Sequence, residues 1–226
     1  MRLGVLFSGG KDSAFAAWRA MGKEKVACLI TVVPSNPESY LFHTPNIGLT
    51  ALQAEAAGLP LVSVASAGVE EEEVADLFRA VSLAVEEHGI EGVVTGAIRS
   101  VYQATRVQRV CHDLGLWCFN PLWQRDEEEH LDEVVSSGLR FIITGVSAAP
   151  LGESWLGREI DPAALGELKD VARRYRMNPA GEGGEYETFV LDAPFFGRRI
   201  EILRASREYR GDRGMFRIDD ARLVAK

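Results

Sequence analysis

The sequence predicts an α/β fold: a parallel β-sheet with helices on both faces, followed by a smaller α+β C-terminal domain. Two observations carry this prediction. Short apolar runs rich in Val, Ile and Leu alternate with helical patterns through the first two-thirds of the chain, as in parallel sheets covered on both faces. From about Gln124 the texture changes to glycine- and proline-rich stretches with short strands, such as "NPAGEGGEYETFVLDAPFFG". We therefore expect two domains, residues 1–124 and residues 125–226.

The predicted elements follow one another in a regular order. Six apolar runs are predicted strands: Leu3–Phe7, Val26–Val33, Leu61–Val64, Gly92–Thr95, Trp117–Phe119 and Phe141–Val146. Five helical patterns lie between them: Ser13–Met21, Leu49–Ala57, Glu71–His88, Val101–Leu114 and Glu127–Ser137. A further helix runs from Asp161 and Pro162 toward Tyr175, and short strands follow at Ile200–Leu203 and Met215–Ile218. Capping-box patterns at Ser100 with Gln103, and at Asp126 with Glu129, mark two of the helix starts.

Composition and charge exclude several classes of function. The 226 residues are 46% hydrophobic and carry a formal net charge of -8, which disfavours direct nucleic-acid binding by charge attraction. The three cysteines show no zinc spacing and suggest a reducing compartment. A strand begins by the second residue, which leaves no room for a signal peptide, and no apolar stretch reaches membrane-spanning length. We expect a cytoplasmic protein with no membrane partner.

The stretch "SGGKDS", residues 8–13, ends the first strand and opens the first helix. One interpretation is a flexible turn with Asp12 or the serine after it as the helix cap. A Walker A loop does not fit, because Asp12 follows the lysine and Val5 stands where the first glycine is required. The third interpretation is an anion site, in which Gly9 and Gly10 let backbone N–H groups approach a pyrophosphate and a magnesium ion bridges Asp12 to it.

The third interpretation matches a known motif. "SGGKDS" resembles the PP-loop signature S-G-G-x-D-S of the ATP pyrophosphatase superfamily, whose members cleave ATP to AMP and pyrophosphate. The motif also stands in the position that this superfamily requires, after the first strand and at the start of the first helix. The resemblance implies an adenine nucleotide alpha-hydrolase-like fold, with residues 1–124 as the ATP-binding domain.

Two later stretches carry further candidate residues. "GAIRSVYQATRVQRVC" follows the fourth predicted strand, so its glycine turn lies at the sheet edge where open α/β sheets bind ligands. "GEGGEYETFVLD" interleaves glutamates with glycines before a strand. A run of charges is usually a solvated surface, but glycines let the backbone approach a ligand while carboxylates converge on a cation or an amine. We expect the first stretch to border the nucleotide and the second to bind a cation or an amine.

These stretches, with "ESYLFHTPN", "PLWQRD" and "GESWLGREID", resemble the diphthine–ammonia ligase family over nearly the whole chain. The resemblance implies a two-domain enzyme that uses ATP and ammonium to amidate the diphthine carboxylate on translation elongation factor 2. The carboxylate would attack the α-phosphorus to give an acyl-adenylate and pyrophosphate, and ammonia would then displace AMP. The C-terminal domain, residues 125–226, would bind the substrate.

The resemblance also implies roles for individual residues. Asp12, Glu185 and Glu187 would be catalytic, and Asp12 would hold Mg²⁺. Lys11 would point either to phosphate or to solvent. The nucleotide would be bound by Ser8, Gly9, Gly10, Lys11, Asp12, Ser13, Thr31, Gly96, Ala97, Tyr102 and Arg106. The diphthine or the ammonium would be bound by His43, Glu153, Ser154, Trp155, Glu182, Gly184, Glu185, Tyr186, Glu187 and Thr188, with Trp155 or Tyr186 giving an aromatic face to the cation.

Two alternatives remain open at this point. A tRNA-modifying PP-loop ligase or thiolase would share the adenylation step, although the acidic balance counts against it. A non-catalytic nucleotide-binding sensor would have no need of the acidic loop. Free ammonium is the expected nitrogen source, because the chain has neither the length for a glutaminase domain nor a cysteine in a nucleophile-like turn. The sequence is also compatible with a homodimer.

Overall fold

The structure is a computed structural model that describes residues 1–35, 46–68 and 70–226. The first part of the chain alternates strands and helices: β1 (Arg2–Leu6), α1 (Lys11–Met21), β2 (Lys25–Pro34), α2 (Thr50–Ala57), β3 (Leu61–Ser66), α3 (Glu70–His88), β4 (Gly92–Val94), α4 (Val101–Asp113) and β5 (Trp117–Phe119). The second part contains α5 (Glu127–Ser136), β6 (Arg140–Val146), α6 (Pro162–Tyr175), β7 (Tyr186–Asp192), β8 (Arg199–Arg210) and β9 (Arg213–Val224). Short 3₁₀ helices cover Ile47–Leu49 and Glu153–Trp155.

The first five strands form one parallel sheet in the order β3-β2-β1-β4-β5. The strand order reverses between β1 and β4, so the chain leaves these two neighbours in opposite directions and opens a crevice at their carboxyl ends. The turn "SGGKDS" follows β1, and the Gly96 turn follows β4. The predicted parallel α/β sheet is confirmed, and its topology brings the two glycine turns together.

The sixth predicted strand does not belong to this sheet. Residues Arg140–Val146 form β6 of a separate antiparallel sheet with the order β7-β6-β9-β8. An apolar run buried on both faces has the same pattern in either sheet, so composition could not separate the two cases. Strands β8 and β9 are also longer than predicted, 12 residues each, because their outer halves form an exposed hairpin without a continuous apolar pattern.

The predicted helix starts are confirmed by side-chain caps. The Ser100 hydroxyl accepts a hydrogen bond from Gln103 N at 3.3 Å, and Asp126 accepts bonds from two backbone N–H groups of the first turn of α5. Asp161 accepts a bond from Ala164 N with Pro162 in the first turn. Such caps satisfy N–H groups that have no partner inside the helix. In the described part of the chain, no helix is both long and apolar enough to cross a membrane.

One apolar core joins the two sheets. Val5 of β1 and Phe15 of α1 belong to the same buried cluster as Phe141 of β6 and Phe189 of β7. A second cluster lies on the other face of the parallel sheet, where α3 and α4 pack on β2, β3 and β4. The antiparallel sheet therefore packs against the side of the parallel sheet that carries α1, and β7 comes to lie beside the turn that precedes α1.

Candidate active site

A cleft of about 1520 Å³ lies between the carboxyl edge of the parallel sheet and the antiparallel sheet. Its floor includes the turn before α1 and the Gly96–Ala97 turn after β4. Residues 181–188, residues 145–147 and residues 213–215 form the opposite wall. Both glycine-rich stretches singled out in the sequence therefore face one cavity, although they lie about 170 residues apart in the chain.

The turn before α1 has the geometry of a phosphate-binding loop. Gly9 has φ +81°, in the left-handed region, where a side chain would be strained. Gly10 stands at the N-cap position of α1 in an extended conformation. The Ser8 and Ser13 hydroxyl oxygens lie 3.2 Å apart on the cleft side. Backbone N–H groups, hydroxyls and the helix dipole thus converge at one point, which favours an anion.

The cap of α1 comes from the antiparallel sheet. Thr188 Oγ1 of β7 accepts a hydrogen bond from Lys11 N at 3.0 Å, across 177 residues. The sequence suggested Asp12 or Ser13 for this role, and that interpretation is wrong, because the Asp12 carboxylate accepts bonds from other side chains. Gly96 packs on the same helix start: a Cβ there would lie 2.8 Å from Asp12 C and from Ser13 N, so a larger residue would push β4 away from α1.

Lys11, Asp12 and His130 form a hydrogen-bonded group beside the turn. Lys11 Nζ donates to Asp12 Oδ2 at 2.9 Å and to Ala180 O at 2.6 Å, and the side chain is 3% exposed. Lys11 therefore points neither to phosphate nor to solvent. Its ammonium group binds Asp12 and the backbone carbonyl of Ala180, in the segment that precedes β7. Burial opposes its charge, yet the neighbouring Asp12 carboxylate keeps the Lys11 pKa above its ordinary value.

His130 of α5 completes this group, although no sequence pattern pointed to it. Its Nε2 lies 2.7 Å from Asp12 Oδ1, and the fully buried ring meets Phe15 edge-on at 5.5 Å between centroids. Burial alone would raise the pKa of Asp12, but the Lys11 charge and the His130 hydrogen bond outweigh it, so the Asp12 pKa is lowered. Asp12 is thus ionised, oriented from two sides and still partly open to the cleft.

Two glutamates of "GEGGEYET" bind the protein's own backbone. One Glu182 oxygen, Oε2, accepts hydrogen bonds from Arg99 N at 3.0 Å and Ser100 N at 3.1 Å, at the start of α4. Glu185 accepts a bond from Asn178 N at 3.1 Å and another from Gly183 N at 2.8 Å. Both residues line the cleft as predicted. However, the Glu185 carboxylate binds N–H groups near its own loop, and the Glu182 carboxylate ties that loop to the start of α4. The sequence pattern predicted a ligand for these charges, because backbone N–H donors leave no mark in a sequence.

Glu187 differs from these two neighbours. Within the described residues its side chain makes no hydrogen bond or ion pair, and its half-buried carboxyl lines the cleft. Burial raises the pKa of Glu187 to about 7, with the Lys11 charge opposing the shift and the Asp12 charge adding to it. In the sheet register Glu187 lies opposite Gly145, which lies opposite Met215, which lies opposite Glu208. All four residues line the cleft, so the row continues the acidic wall onto the β8–β9 hairpin.

The remaining residues of the loop have structural partners. The Tyr186 hydroxyl donates to Pro179 O at 2.7 Å, and Lys11 Nζ lies 5.0 Å from the ring centroid. Burial raises the pKa of Tyr186 to about 12. The Gly184 carbonyl accepts a bond from the Ser147 hydroxyl at 2.9 Å. The Tyr186 ring predicted to face a substrate cation is therefore buried and already faces the cation of Lys11.

Other predicted nucleotide residues divide into two groups. Ala97 and Tyr102 line the cleft. Thr31 is buried in β2, where its hydroxyl donates to Phe7 O at 2.6 Å, and the structure does not bring it to the cleft wall. Arg106 packs its guanidinium 3.2 Å from the centroid of the Tyr102 ring, one turn along α4. Side chains alternate between the two faces of a strand, so Thr31 points to the opposite face from its neighbours Ile30 and Val32, which line the cleft.

The stretch "GESWLGREID" lies away from the cleft lining. Trp155 is 6% exposed within the apolar core, and the Arg158 guanidinium lies 4.6 Å from its ring centroid. Glu153 and Ser154 are exposed in the same 3₁₀ helix and are absent from the cleft wall. The prediction that this stretch contacts substrate is not supported by these positions. His43 lies outside the described residues.

A magnesium ion fits this site only together with phosphate. In the described part of the chain, no group of three or more His, Cys, Asp or Glu side chains could hold a metal alone. Mg²⁺ is commonly bound by one or two carboxylates plus the phosphates of a nucleotide. Asp12 lies next to the phosphate turn, and its side chain is 24% exposed. Its carboxylate has lone pairs beyond those used by Lys11 and His130, so the donor set suits a shared ion.

Comparison with known proteins agrees with this architecture. The diphthamide synthase N-terminal domain family matches residues 1–118, and the diphthamide synthase C-terminal domain family matches residues 126–224. The diphthine–ammonia ligase of Bos taurus is 36% identical over 222 residues, which cover 89% of this chain and 83% of that protein. The human diphthine–ammonia ligase is 34% identical with the same coverage. The Schizosaccharomyces pombe ligase is 36% identical over 89% of this chain, which spans 36% of that longer protein.

A solved structure, the predicted subunit of tRNA methyltransferase from Methanocaldococcus jannaschii DSM, covers 86% of this chain and 98% of its own at 18% identity and a TM-score of 0.44. A likeness at this level carries no conclusion about function. The two family matches together span nearly the whole chain, and the bovine and human ligases align over most of their own length. The chain belongs to the diphthine–ammonia ligase (diphthamide synthase) family.

Proposed function

We propose that this protein catalyses the ATP-dependent amidation of the diphthine carboxylate on translation elongation factor 2 with ammonium, giving diphthamide, AMP and pyrophosphate. It is then a ligase that forms a C–N bond. The observation that carries the proposal is one cleft in which the phosphate-binding turn faces Glu187, a glutamate whose carboxylate has no partner in the described structure. A C–N ligase needs both parts: one to activate a carboxylate and one to receive a nitrogen nucleophile.

The nucleotide half of the reaction would use the floor of the cleft. The Gly10 N–H and the Ser8 and Ser13 hydroxyls would bind the β- and γ-phosphates at the start of α1. The diphthine carboxylate would attack the α-phosphorus, and the bond to the bridging oxygen of pyrophosphate would break. Positioning and charge neutralisation are the main contributions of the protein to such a transfer. Gly96 and Ala97 would border the nucleotide at the neighbouring turn.

Asp12 would hold Mg²⁺ shared with the phosphates. The bound ion would neutralise the negative charge that builds up when a carboxylate approaches a triphosphate. Lys11 and His130 orient the Asp12 carboxylate from two sides, so it can face the ion without rearranging. This gives Lys11 a positioning role, in place of the direct phosphate contact that its place in the motif suggested.

The amidation half would use the acidic wall. Ammonia attacks the acyl carbon only as the neutral molecule, so ammonium must lose a proton in the site. Glu187 has a pKa of about 7, which makes its carboxylate a suitable base at neutral pH. Glu182, Glu185 and Glu208 would add negative potential that favours ammonium and the trimethylammonium group of diphthine.

We also propose a domain organisation for the chain. We divide the chain into an ATP-binding domain of residues 1–124 and a substrate-binding domain of residues 125–226, with Thr188 and Lys11 connecting the two. The cytoplasmic location and a homodimer stay predictions. Light scattering of the purified protein measures its molecular mass in solution, and a value near twice 24.8 kDa would support the homodimer.

The experiment that tests the function supplies purified protein with ATP, magnesium, ammonium and elongation factor 2 bearing diphthine. AMP, pyrophosphate and a diphthamide product should form together. Stoichiometric ADP and phosphate would contradict the proposal. A parallel reaction with tRNA in place of the elongation factor tests the tRNA-modifying alternative. Nucleotide binding without turnover in either reaction would favour the sensor.

A further inference from the structure

Gln53 of α2 is fully buried between the two domains. Its side-chain nitrogen Nε2 donates to Gly9 O at 3.0 Å and to Val190 O of β7 at 2.8 Å. Val190 N also donates to Gly9 O at 2.9 Å. The carbonyl of Gly9 therefore accepts two hydrogen bonds, one from α2 and one from β7, on the side of the turn that faces away from the cleft.

The position of that carbonyl decides where the next N–H points. A peptide unit is planar and trans, so the Gly9 carbonyl and the Gly10 N–H point in opposite directions. With the carbonyl held by Gln53 and Val190, the Gly10 N–H points to the opposite side, where it donates a long hydrogen bond to the Ser8 hydroxyl oxygen at 3.4 Å. Ser8 and Gly10 line the cleft.

The surroundings of Gln53 leave little room for another arrangement. A Cβ on Gly9 would lie 2.4 Å from Gln53 Oε1, so the glutamine packs directly on the left-handed glycine. Gln53 Oε1 is buried and has no hydrogen-bond partner among the described residues. Burying an amide oxygen without a partner is unfavourable. The two bonds made by Nε2 offset this cost: one holds the phosphate turn to α2, and the other holds β7 to α2.

We propose that Gln53 is a positioning residue that aims the Gly10 N–H at the β- and γ-phosphates, and that docking of β7 against the turn is part of the same device. The inference rests on the nucleotide site of the proposed function. It assigns a role to a residue outside both glycine-rich motifs. It also makes the phosphate affinity depend on the C-terminal domain, through Val190.

The test compares nucleotides with and without the distal phosphates. Gln53→Met keeps the length of the side chain and removes both donors. Its dissociation constant for α,β-methylene-ATP with magnesium should rise about tenfold or more, since one or two bonds at a charged ligand are misdirected. Its dissociation constant for AMP should stay within about twofold of the wild-type value. The matched control is Gln108→Met, on the exposed side of α4, which should change neither.

The ratio of the two affinities separates positioning from general damage. Equal weakening of both nucleotides, or no weakening of either, would overturn the proposal. If Gln53→Met does not fold, the wild-type protein decides the question by NMR. Pyrophosphate should move the Gly10 amide signal strongly, and an unmoved Gly10 signal beside a shifted Ser13 signal would overturn the proposal. These binding measurements do not require amidation, so a failure of the proposed function would appear separately in the AMP assay.

Discussion

The two glycine-rich loops of this protein, "SGGKDS" and "GEGGEYET", look alike in sequence but differ in where their polar groups bind. In "SGGKDS" the Gly10 N–H and the two serine hydroxyls hydrogen-bond within the turn itself, and their residues line the cleft. "GEGGEYET" uses most of its polar groups internally, since Glu182 and Glu185 accept backbone N–H bonds and Thr188 caps α1. We propose that the first loop binds the nucleotide, whereas the second mainly holds the first in place and presents one unpaired carboxylate, Glu187, to the cleft.

The largest effect is expected at the first loop, from Asp12→Asn. Loss of the charge that would hold magnesium should lower amidation by at least about two orders of magnitude. Because Asp12 also neutralises the buried Lys11, the variant should lose stability, by roughly 3 kcal/mol as for a broken buried ion pair. Steady-state kinetics and urea unfolding measure the two effects.

A double variant separates these two roles of Asp12. Lys11→Met with Asp12→Asn removes both charges, so it should recover part of the stability and none of the activity. Recovery of activity in the double variant would show that Asp12 serves only to neutralise Lys11.

The next effect concerns the free carboxylate of the second loop. Glu187→Gln should lower the rate of amide formation tenfold or more while ATP binding stays normal, because the base for ammonium is lost. In the wild type the rate should rise with pH through about 7, as the raised pKa of Glu187 is passed. The variant should lack that rise. Loss of ATP binding in a folded Glu187→Gln protein would place Glu187 in the nucleotide site instead.

The raised pKa of Glu187 should also change how the folding stability depends on pH. A carboxyl whose pKa is raised in the folded state favours folding when protonated, so stability falls as pH rises from the ordinary value of 4.5 to about 7. Glu187→Gln should therefore melt a few degrees higher than the wild type at pH 8, and the difference should largely disappear at pH 5. Thermal melts at both pH values test this, with the exposed Glu86→Gln as the control.

A smaller effect is expected where the second loop caps the first helix. Thr188→Val removes the hydroxyl that accepts the Lys11 N–H bond and should cost about 1 kcal/mol of stability, as for other lost N-caps. Thr188→Ser keeps the hydroxyl and should recover most of that loss in chemical denaturation. Destabilisation by serine with little effect of valine would assign the role to the methyl group instead.

The smallest effect is expected at Glu185. Its oxygens hold Asn178 N and Gly183 N, and glutamine keeps one of the two acceptors. Glu185→Gln should therefore change KM by about threefold or less and leave kcat almost unchanged. A loss as large as that of Glu187→Gln would show that both glutamates act on the substrate, which is the role that the sequence alone suggested for them.

The sequence by itself determined the class of the fold, the family and the phosphate turn. These depend on local rules: apolar periodicity, helix caps such as Ser100 and Asp126, and a glycine turn between a strand and a helix. Only the tertiary structure decided that β6 joins the antiparallel sheet and that Trp155 lies in the core. It also decided that Lys11 pairs with Asp12 and not with a ligand, that His130 and Gln53 support the turn, and that Glu187 alone of the three loop glutamates is free. The physical reason is the same in each case. The identity of a charged or polar residue does not reveal whether its side chain binds a ligand or another group of the protein. That partner often belongs to a strand or helix far away in the chain.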